Sequence, residues 1–249
     1  MIDCSFIHKH NLGLYGERRV ITKTKEDGKT VIVKREKIFN KSPDEYYFYK
    51  KYSEKIKDDK MDRFLSIPIR VLSCEKSKIY VLNYFENDYT DRIIRKTDWK
   101  TFLDYSIQLC LQVYYLNHYL HMFHNDLIKH GKIWNVMLED NNKFVSMKVD
   151  NFKHETSKNI VRVIDFGRPR KKPDFVLKDY YKVKGGDFPY RSEVFLVLFL
   201  TYRVQKDEDI SFRLFYDSFY LGAKSHKEFD KYILSRLFDA YYSNLTDIF

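Results

Sequence analysis

The spacing of apolar positions changes character about a third of the way along the chain. From Ile7 to about Leu82 the pattern is short-period and strand-rich. Arg19 to Thr24 and Lys29 to Lys34 alternate around Asp27-Gly28, a pair that readily takes the positive φ of a tight hairpin. Ser42-Pro43-Asp44-Glu45 then reads as a helix start, with serine as cap, proline first in the helix and an acid three after the cap. An aromatic run to Tyr52 follows it. Two more strand-like runs, Ile67 to Ser73 and Lys78 to Tyr84, close the region, giving an order of five strands with one helix. From about Asn87 the period lengthens. Asp98 to Tyr119 carries Phe102, Leu103, Ile107, Cys110, Leu111 and Tyr114 three and four apart, which predicts a long amphipathic helix packed on a core. The second half is read as mainly helical with short strands, and the boundary falls near Asn83. No repeat, low-complexity tract or glycine/serine linker interrupts it.

A chain of 249 residues can bury a substantial core, as one two-lobed domain or two small ones. Aromatic residues make up 17%, which excludes wholesale disorder because they must mostly be buried. The three cysteines, Cys4, Cys74 and Cys110, are far apart and form no CxxC or Cys/His cluster, which argues against structural zinc and for reduced thiols. Met1 to Ser5 carries no cationic and apolar leader, and the longest apolar run, Val194 to Tyr202, is too short to span a bilayer. The expectation is therefore a soluble, cytoplasmic protein. A net charge of +10 suits acidic substrates, nucleic acid or an anionic surface, and equally a lysine-rich solvated exterior. Nucleic acid has no aromatic-basic motif or recognition helix to support it. One basic run is local: Arg168-Pro169-Arg170-Lys171-Lys172-Pro173.

Candidate chemistry lies in two polar signatures beside short apolar runs. The first is His124-Asn125-Asp126-Leu127, followed by Asn135-Val136-Met137-Leu138. The second is Val163-Ile164-Asp165-Phe166-Gly167. Two carboxylates and one carboxamide at the ends of buried strands suit the holding of divalent metal against phosphates. Lys34 ends the apolar run Val31-Ile32-Val33, where an inward-facing cation needs a partner. Glu45 is the best candidate and Glu54 the next.

Together these residues resemble the protein kinase-like superfamily, and the His-Asn-Asp-Leu form resembles compact serine/threonine kinases of poxviruses and giant viruses. The resemblance implies an α+β, two-lobed fold: a small antiparallel lobe with one helix (1–83) and a mainly helical, C-terminally trimmed lobe (84–249). It further implies ATP with Mg²⁺ or Mn²⁺ and a Ser/Thr hydroxyl on a protein as acceptor, and the basic run from Arg168 to Lys172 would favour an acidic one. Asp126 would take or orient the hydroxyl proton, Asn135 and Asp165 would hold metal, and Lys34 with Glu45 would position the α- and β-phosphates. Gly13 and Gly16 would cover the nucleotide, while Leu82 and the backbone near Tyr84 would receive adenine. Tyr49 would face Phe166 and His124.

Several departures accompany the resemblance. The interval from Asp126 to Asn135 is nine residues where the family has five, so four extra residues must bulge from the loop. Ile128 stands where serine/threonine kinases carry a lysine, for which Lys129 or Lys132 could substitute. Asn11 replaces the first loop glycine, no Ala-Pro-Glu follows Gly167, and Glu193-Val194-Phe195 stands for Asp-Val-Trp. Small-molecule kinases of the choline, aminoglycoside or sugar type, and a pseudokinase scaffold, remain alternatives.

Overall fold

The computed structural model describes residues 19–38, 44–74, 77–89, 91–129, 132–172, 190–208 and 210–244. The first part is a four-stranded antiparallel sheet of β1 (Arg19–Glu26), β2 (Lys29–Lys37), β3 (Arg70–Cys74) and β4 (Ser77–Asn83), in the order β1-β2-β4-β3. Asp27 and Gly28 turn the first hairpin at φ 48° and 77°, the two positive values its tight loop needs. Both strands outrun the expected alternation, because the second half of β2 buries Lys34, Arg35 and Glu36 where hydropathy shows only charge. Any strand before Arg19 would lie outside the described residues.

Register assigns the two faces of this sheet. Lys34 pairs with Ile21 and Tyr80, and Ile32 with Lys23 and Leu82, so these residues share one face. The opposite face buries Val31, Val33, Ile79 and Val81 with Cys74. Cys74 is disulfide-bonded, which corrects the expectation of wholly reduced thiols, while Cys110 is a free buried thiol. Helix α1 (Asp44–Asp58) lies between β2 and β3 in the chain and extends beyond the aromatic run. Its expected cap, Ser42 with Pro43, lies outside the described residues.

After β4 come the short strand β5 (Asn87–Asp88) and the helices α2 (Asp91–Arg95) and α3 (Trp99–His118). Six short strands separate α3 from the last helices among the described residues: β6 (Ile128–Lys129), β7 (Lys132–Ile133), β8 (Val136–Asp140), β9 (Ser146–Val149), β10 (Phe152–Glu155) and β11 (Asn159–Val163). Helices α4 (Glu193–Lys206), α5 (Phe212–Phe219) and α6 (His226–Ser243) follow. The fold is α+β, and its small sheets are antiparallel, with the order β11-β8-β5 in the largest of them. Among the described residues no helix is long and apolar enough to cross a membrane.

Helix α3 corrects the amphipathic expectation. Asp98 caps it by accepting the Thr101 amide at 2.9 Å. Every residue from Phe102 to Asn117 is then buried, so no solvent face exists along that stretch. Its two glutamines are accommodated because each meets backbone partners in the core. Gln108 accepts the Val161 amide at 2.8 Å and donates to the Asn159 carbonyl at 3.1 Å. Gln112 donates to the Val161 carbonyl at 2.9 Å and accepts the Val163 amide at 3.1 Å. Two glutamines one helical turn apart thus complete the edge of β11, as a neighbouring strand would. That fixes the strand leading into Asp165.

On the far side of α3, the apolar run of α4 is buried from Val194 to Leu200. Phe195 meets the rings of Phe212, Phe215, Tyr216 and Phe229 at centroid distances of 5.3, 5.6, 5.1 and 5.9 Å.

Gln112→Met keeps the volume of the side chain but leaves the Val161 carbonyl without its partner. Urea denaturation is expected to register a loss of about 1–3 kcal/mol. A loss below about 0.5 kcal/mol would mean that the glutamine contacts do not hold the edge of β11.

Candidate active site

Lys34 lies within β2 and is only 2% exposed, not at an exposed strand end. A buried ammonium needs counter-charge, and two carboxylates supply it. Its Nζ donates to Glu45 from the first turn of α1 and to Asp165 Oδ1 at 2.7 Å. Tyr49, one turn along α1, donates to the second oxygen of Glu45 at 3.0 Å. Glu54 is exposed and takes no part.

The electrostatics of the three groups follow from burial set against pairing. Burial would lower the Lys34 pKa, but Glu45 and then Asp165 outweigh it and hold it above the ordinary lysine value. The ammonium therefore stays charged. Burial pushes the Glu45 carboxyl up against the pull of Lys34. It acts in the same direction on Asp165, where Lys34 and Arg19 prevail and bring the carboxyl below its usual range.

Three site residues, Asn125, Asn135 and Asp165, sit at φ 60°, 56° and 57°. Asn and Asp are the side-chain-bearing residues that best tolerate this left-handed region. Gly167 leaves room for its neighbours' side chains. A Cβ there would stand 3.0 Å from Arg19 Nη2 and 3.2 Å from Asp165 Oδ1.

The long interval between Asp126 and Asn135 forms a hairpin instead of an irregular bulge. Lys129 pairs with Lys132 and Ile128 with Ile133, and the Trp134 amide donates to Leu127 at 2.7 Å. Continuing that register brings Asp126 opposite Asn135. Asn135 Nδ2 accordingly donates to the Asp126 carbonyl at 2.9 Å and to Asp126 Oδ2 at 3.2 Å. The pairing keeps the two polar side chains adjacent, and Ile128 on the same hairpin packs into the core. Lys132 is exposed, and the Lys129 side chain, His130 and Gly131 lie outside the described residues.

His124 is fixed in one tautomer. Nε2 donates to the Ile164 carbonyl at 2.9 Å, and Nδ1 accepts the Asp126 amide at 3.3 Å. Complete burial lowers its pKa, so the ring is neutral. Phe166 packs beside it at 5.0 Å and stacks on Phe48 of α1 at 4.4 Å, with Tyr49 edge-on at 6.1 Å. The expected inward orientation of Tyr49 is observed.

Beneath the loop, Glu193 accepts the amides of His124 and Asn125, each at 3.1 Å. The sequence matched Glu193 only to the acid of the family's Asp-Val-Trp, without revealing this role. The available signal was a lone acid at the edge of a long apolar run. Its carboxyl is fully buried, and burial pushes its pKa up to about 7 despite the donated amides.

Above these groups opens a cleft of about 300 Å³. Ile21, Ile32, Leu82 and Met137 line it, as do Tyr84, Lys34, Asn135 and Asp165. Ile21, Ile32 and Met137 were not anticipated, because the pairing register that aligns them with Leu82 is absent from any one segment. Gly13 and Gly16 lie outside the described residues. A carboxylate and a carboxamide oxygen at one end are hard donors of the kind Mg²⁺ or Mn²⁺ takes, and Asn135 turns its Nδ2 toward Asp126, which leaves Oδ1 for a cation. The other end is apolar, lined by Ile21, Ile32, Leu82 and Met137. The donor set and the cleft thus fit a metal–nucleotide pair.

No protein-family model matches the chain, and no curated protein matches it.

Because the Glu193 carboxyl titrates near 7 when folded against an ordinary 4.5, the native state holds its proton more tightly than the unfolded chain. The stability it contributes is present below about pH 4.5 and is lost as pH rises through about 7. Glu193→Gln removes this titration. Compared with the variant, the wild type is expected to lose on the order of 2–3 kcal/mol between about pH 5 and about pH 8, read from urea midpoints. Parallel pH curves for the two proteins would exclude the titration.

Proposed function

We propose that this chain is an ATP- and divalent-metal-dependent protein kinase that transfers the γ-phosphate to Ser or Thr hydroxyls. Its fold in this reading is two-lobed and protein kinase-like, with the small lobe ending near Asn83. The observation that carries the reading is the Lys34 ammonium shared between Glu45 and Asp165, at one end of a cleft that also presents Asn135. Sheet, helix and signature segment contribute one charge each. A structural ion pair needs a single partner, whereas a group that must present its charge to phosphate oxygens needs to be held on both sides.

Each residue then has a task. Ile21, Ile32, Leu82 and Met137 enclose the base, and Lys34 neutralises the α- and β-phosphates. Asp165 and Asn135 hold the metal. Bound Mg²⁺ or Mn²⁺ supplies positive charge against the β- and γ-phosphate oxygens. Asp126, oriented by Asn135, accepts or directs the proton of the incoming hydroxyl. Glu193 holds the loop amides so that Asp126 keeps its aim.

The basic run favours a protein acceptor over a cationic small molecule. Arg168, Arg170, Lys171 and Lys172 are exposed. Their backbone is tied to the signature loop: Phe123 and Arg170 exchange amide–carbonyl bonds at 2.7 and 3.0 Å, and Asn125 donates to the Lys172 carbonyl at 3.2 Å. A positive surface held there attracts acidic peptides and repels amino alcohols and aminoglycosides.

Transfer of labelled γ-phosphate from ATP to casein, histone and the protein itself tests the reading. Asp126→Asn, checked for folding by circular dichroism, is expected to lose about 10²-fold or more in rate. Undiminished transfer by the variant, or none by the folded wild type, would reject it. Charge reversal at Lys171 and Lys172 should lower kcat/KM for an acidic peptide more than for a neutral one, and added salt should erase the difference. Equal losses on both peptides would show that the run does not select substrate.

A further inference from the structure

Behind the signature loop, on the side away from the cleft, the ends of three helices meet around one buried carboxylate. His118 is the last residue of α3, and His226 and Asp230 stand one turn apart at the start of α6. Asp230 is fully buried. Its Oδ2 lies 2.6 Å from His118 Nε2 and 3.1 Å from His226 Nε2. Its Oδ1 accepts from the hydroxyl of Ser192, the N-cap of α4. The two imidazole nitrogens and the carboxylate oxygen all lie within 4.8 Å of one another.

Hydrogen bonding explains part of this cluster. It accounts for His118 and for Ser192, but it leaves out His226. That Nε2 is shielded from solvent, and at 3.1 Å its approach to Oδ2 is an ion-pair contact that falls off the direction of a well-formed hydrogen bond. Both rings are held with these nitrogens inward. Tyr114 packs on His118 at 4.7 Å, while Phe123 and Tyr190 stack on His226 at 6.1 and 6.4 Å.

We propose that His118, His226 and Asp230 bind a divalent transition-metal ion of the zinc class, with a water in the fourth position. Zinc bonds to imidazole nitrogen and carboxylate oxygen at about 2.0–2.2 Å, which sets neighbouring ligands of a tetrahedral site roughly 3.3 Å apart. The 3.1 Å separation of His226 and Asp230 already suits this. The His118–Asp230 separation needs to widen by less than about 1 Å. Binding replaces the proton between His118 and Asp230 and the one His226 Nε2 directs at the same carboxylate, both of which leave to solvent, and turns the off-axis approach of His226 into a metal–nitrogen bond. Two imidazoles with one carboxylate favour zinc over Mg²⁺ or Ca²⁺. The ion would tie α3, α6 and the start of α4 together, and Ser192 directly precedes the Glu193 that holds the loop. Sequence reading had argued against structural zinc because cysteines are absent from such a pattern. His118 and Asp230 stand 112 residues apart, so no local motif could announce the site.

None of these ligands belongs to the cleft, so the proposal stands apart from the kinase reading. The folded protein, stripped with chelator and held in saturating Mg²⁺ to occupy the oxygen donors at Asp165 and Asn135, is titrated with Zn²⁺ by calorimetry. A parallel Co²⁺ titration follows the visible absorption of a tetrahedral site. Expected are one tight equivalent of Zn²⁺, a raised melting temperature and an intense Co²⁺ band. All three should be lost in His226→Gln and retained in Asp165→Asn. Zinc-edge X-ray absorption on the wild type, expected to show two imidazoles, decides the matter even if His226→Gln fails to fold. No tight equivalent in the wild type, a zinc shell without two imidazoles, or an unchanged Co²⁺ band in folded His226→Gln would each overturn the proposal.

Discussion

A lysine ammonium cannot be buried alone, and the arrangement of the cleft depends on that constraint. Lys34 projects from the centre of a strand into a space from which water is nearly excluded. Two carboxylates from distant parts of the chain must reach it. Glu45 brings α1 against the sheet, and Asp165 brings the end of β11. The apolar side of the same junction is the stack of Phe48 on Phe166, which joins the same two segments through dispersion and area burial. Charge pairing fixes the geometry there; the aromatic rings supply the cohesion.

Asp165 can be delivered so accurately because the strand before it is held on both edges. Strand β8 pairs with one edge, and the glutamines of α3 hydrogen-bond the other. A buried helix usually avoids such side chains. Here their cost in desolvation is offset by backbone groups that would otherwise be left unpaired at a sheet edge. The same economy recurs at Glu193, whose carboxylate serves two amides of a loop that has no strand to pair with. Polar groups in this core therefore act mainly as substitutes for missing secondary structure.

The loop carrying Asp126 illustrates how an apparent defect is absorbed. An insertion between two residues that must cooperate ought to separate them. Antiparallel pairing cancels the effect, since each residue added on one strand is matched on the other, and the base of the hairpin keeps its spacing. In the proposed phosphotransferase, Asp126 and Asn135 thus act side by side whatever the length of the tip. The basic run beside them is held by backbone bonds to the same loop, so its field is fixed in direction relative to the site.

The sequence by itself determined the local elements and the identity of the central polar residues. Turn chemistry at Asp27-Gly28, the Asp98 cap and the apolar runs of α3 and α4 are written in neighbouring residues, and so are Lys34, Glu45, Asp126, Asn135 and Asp165. Tertiary structure alone decided three further things. It buried Lys34 in the charged half of β2, which hydropathy reads as surface, because its compensating carboxylates arrive from α1 and from the end of β11. It enclosed α3 on all sides, because Gln108 and Gln112 find partners in a strand some fifty residues onward. It also gathered His118, His226 and Asp230 around one point. The physical reason is the same in each case: the free energy of a buried polar group is set by its partner, and a partner distant in sequence leaves no periodic trace near the residue it satisfies.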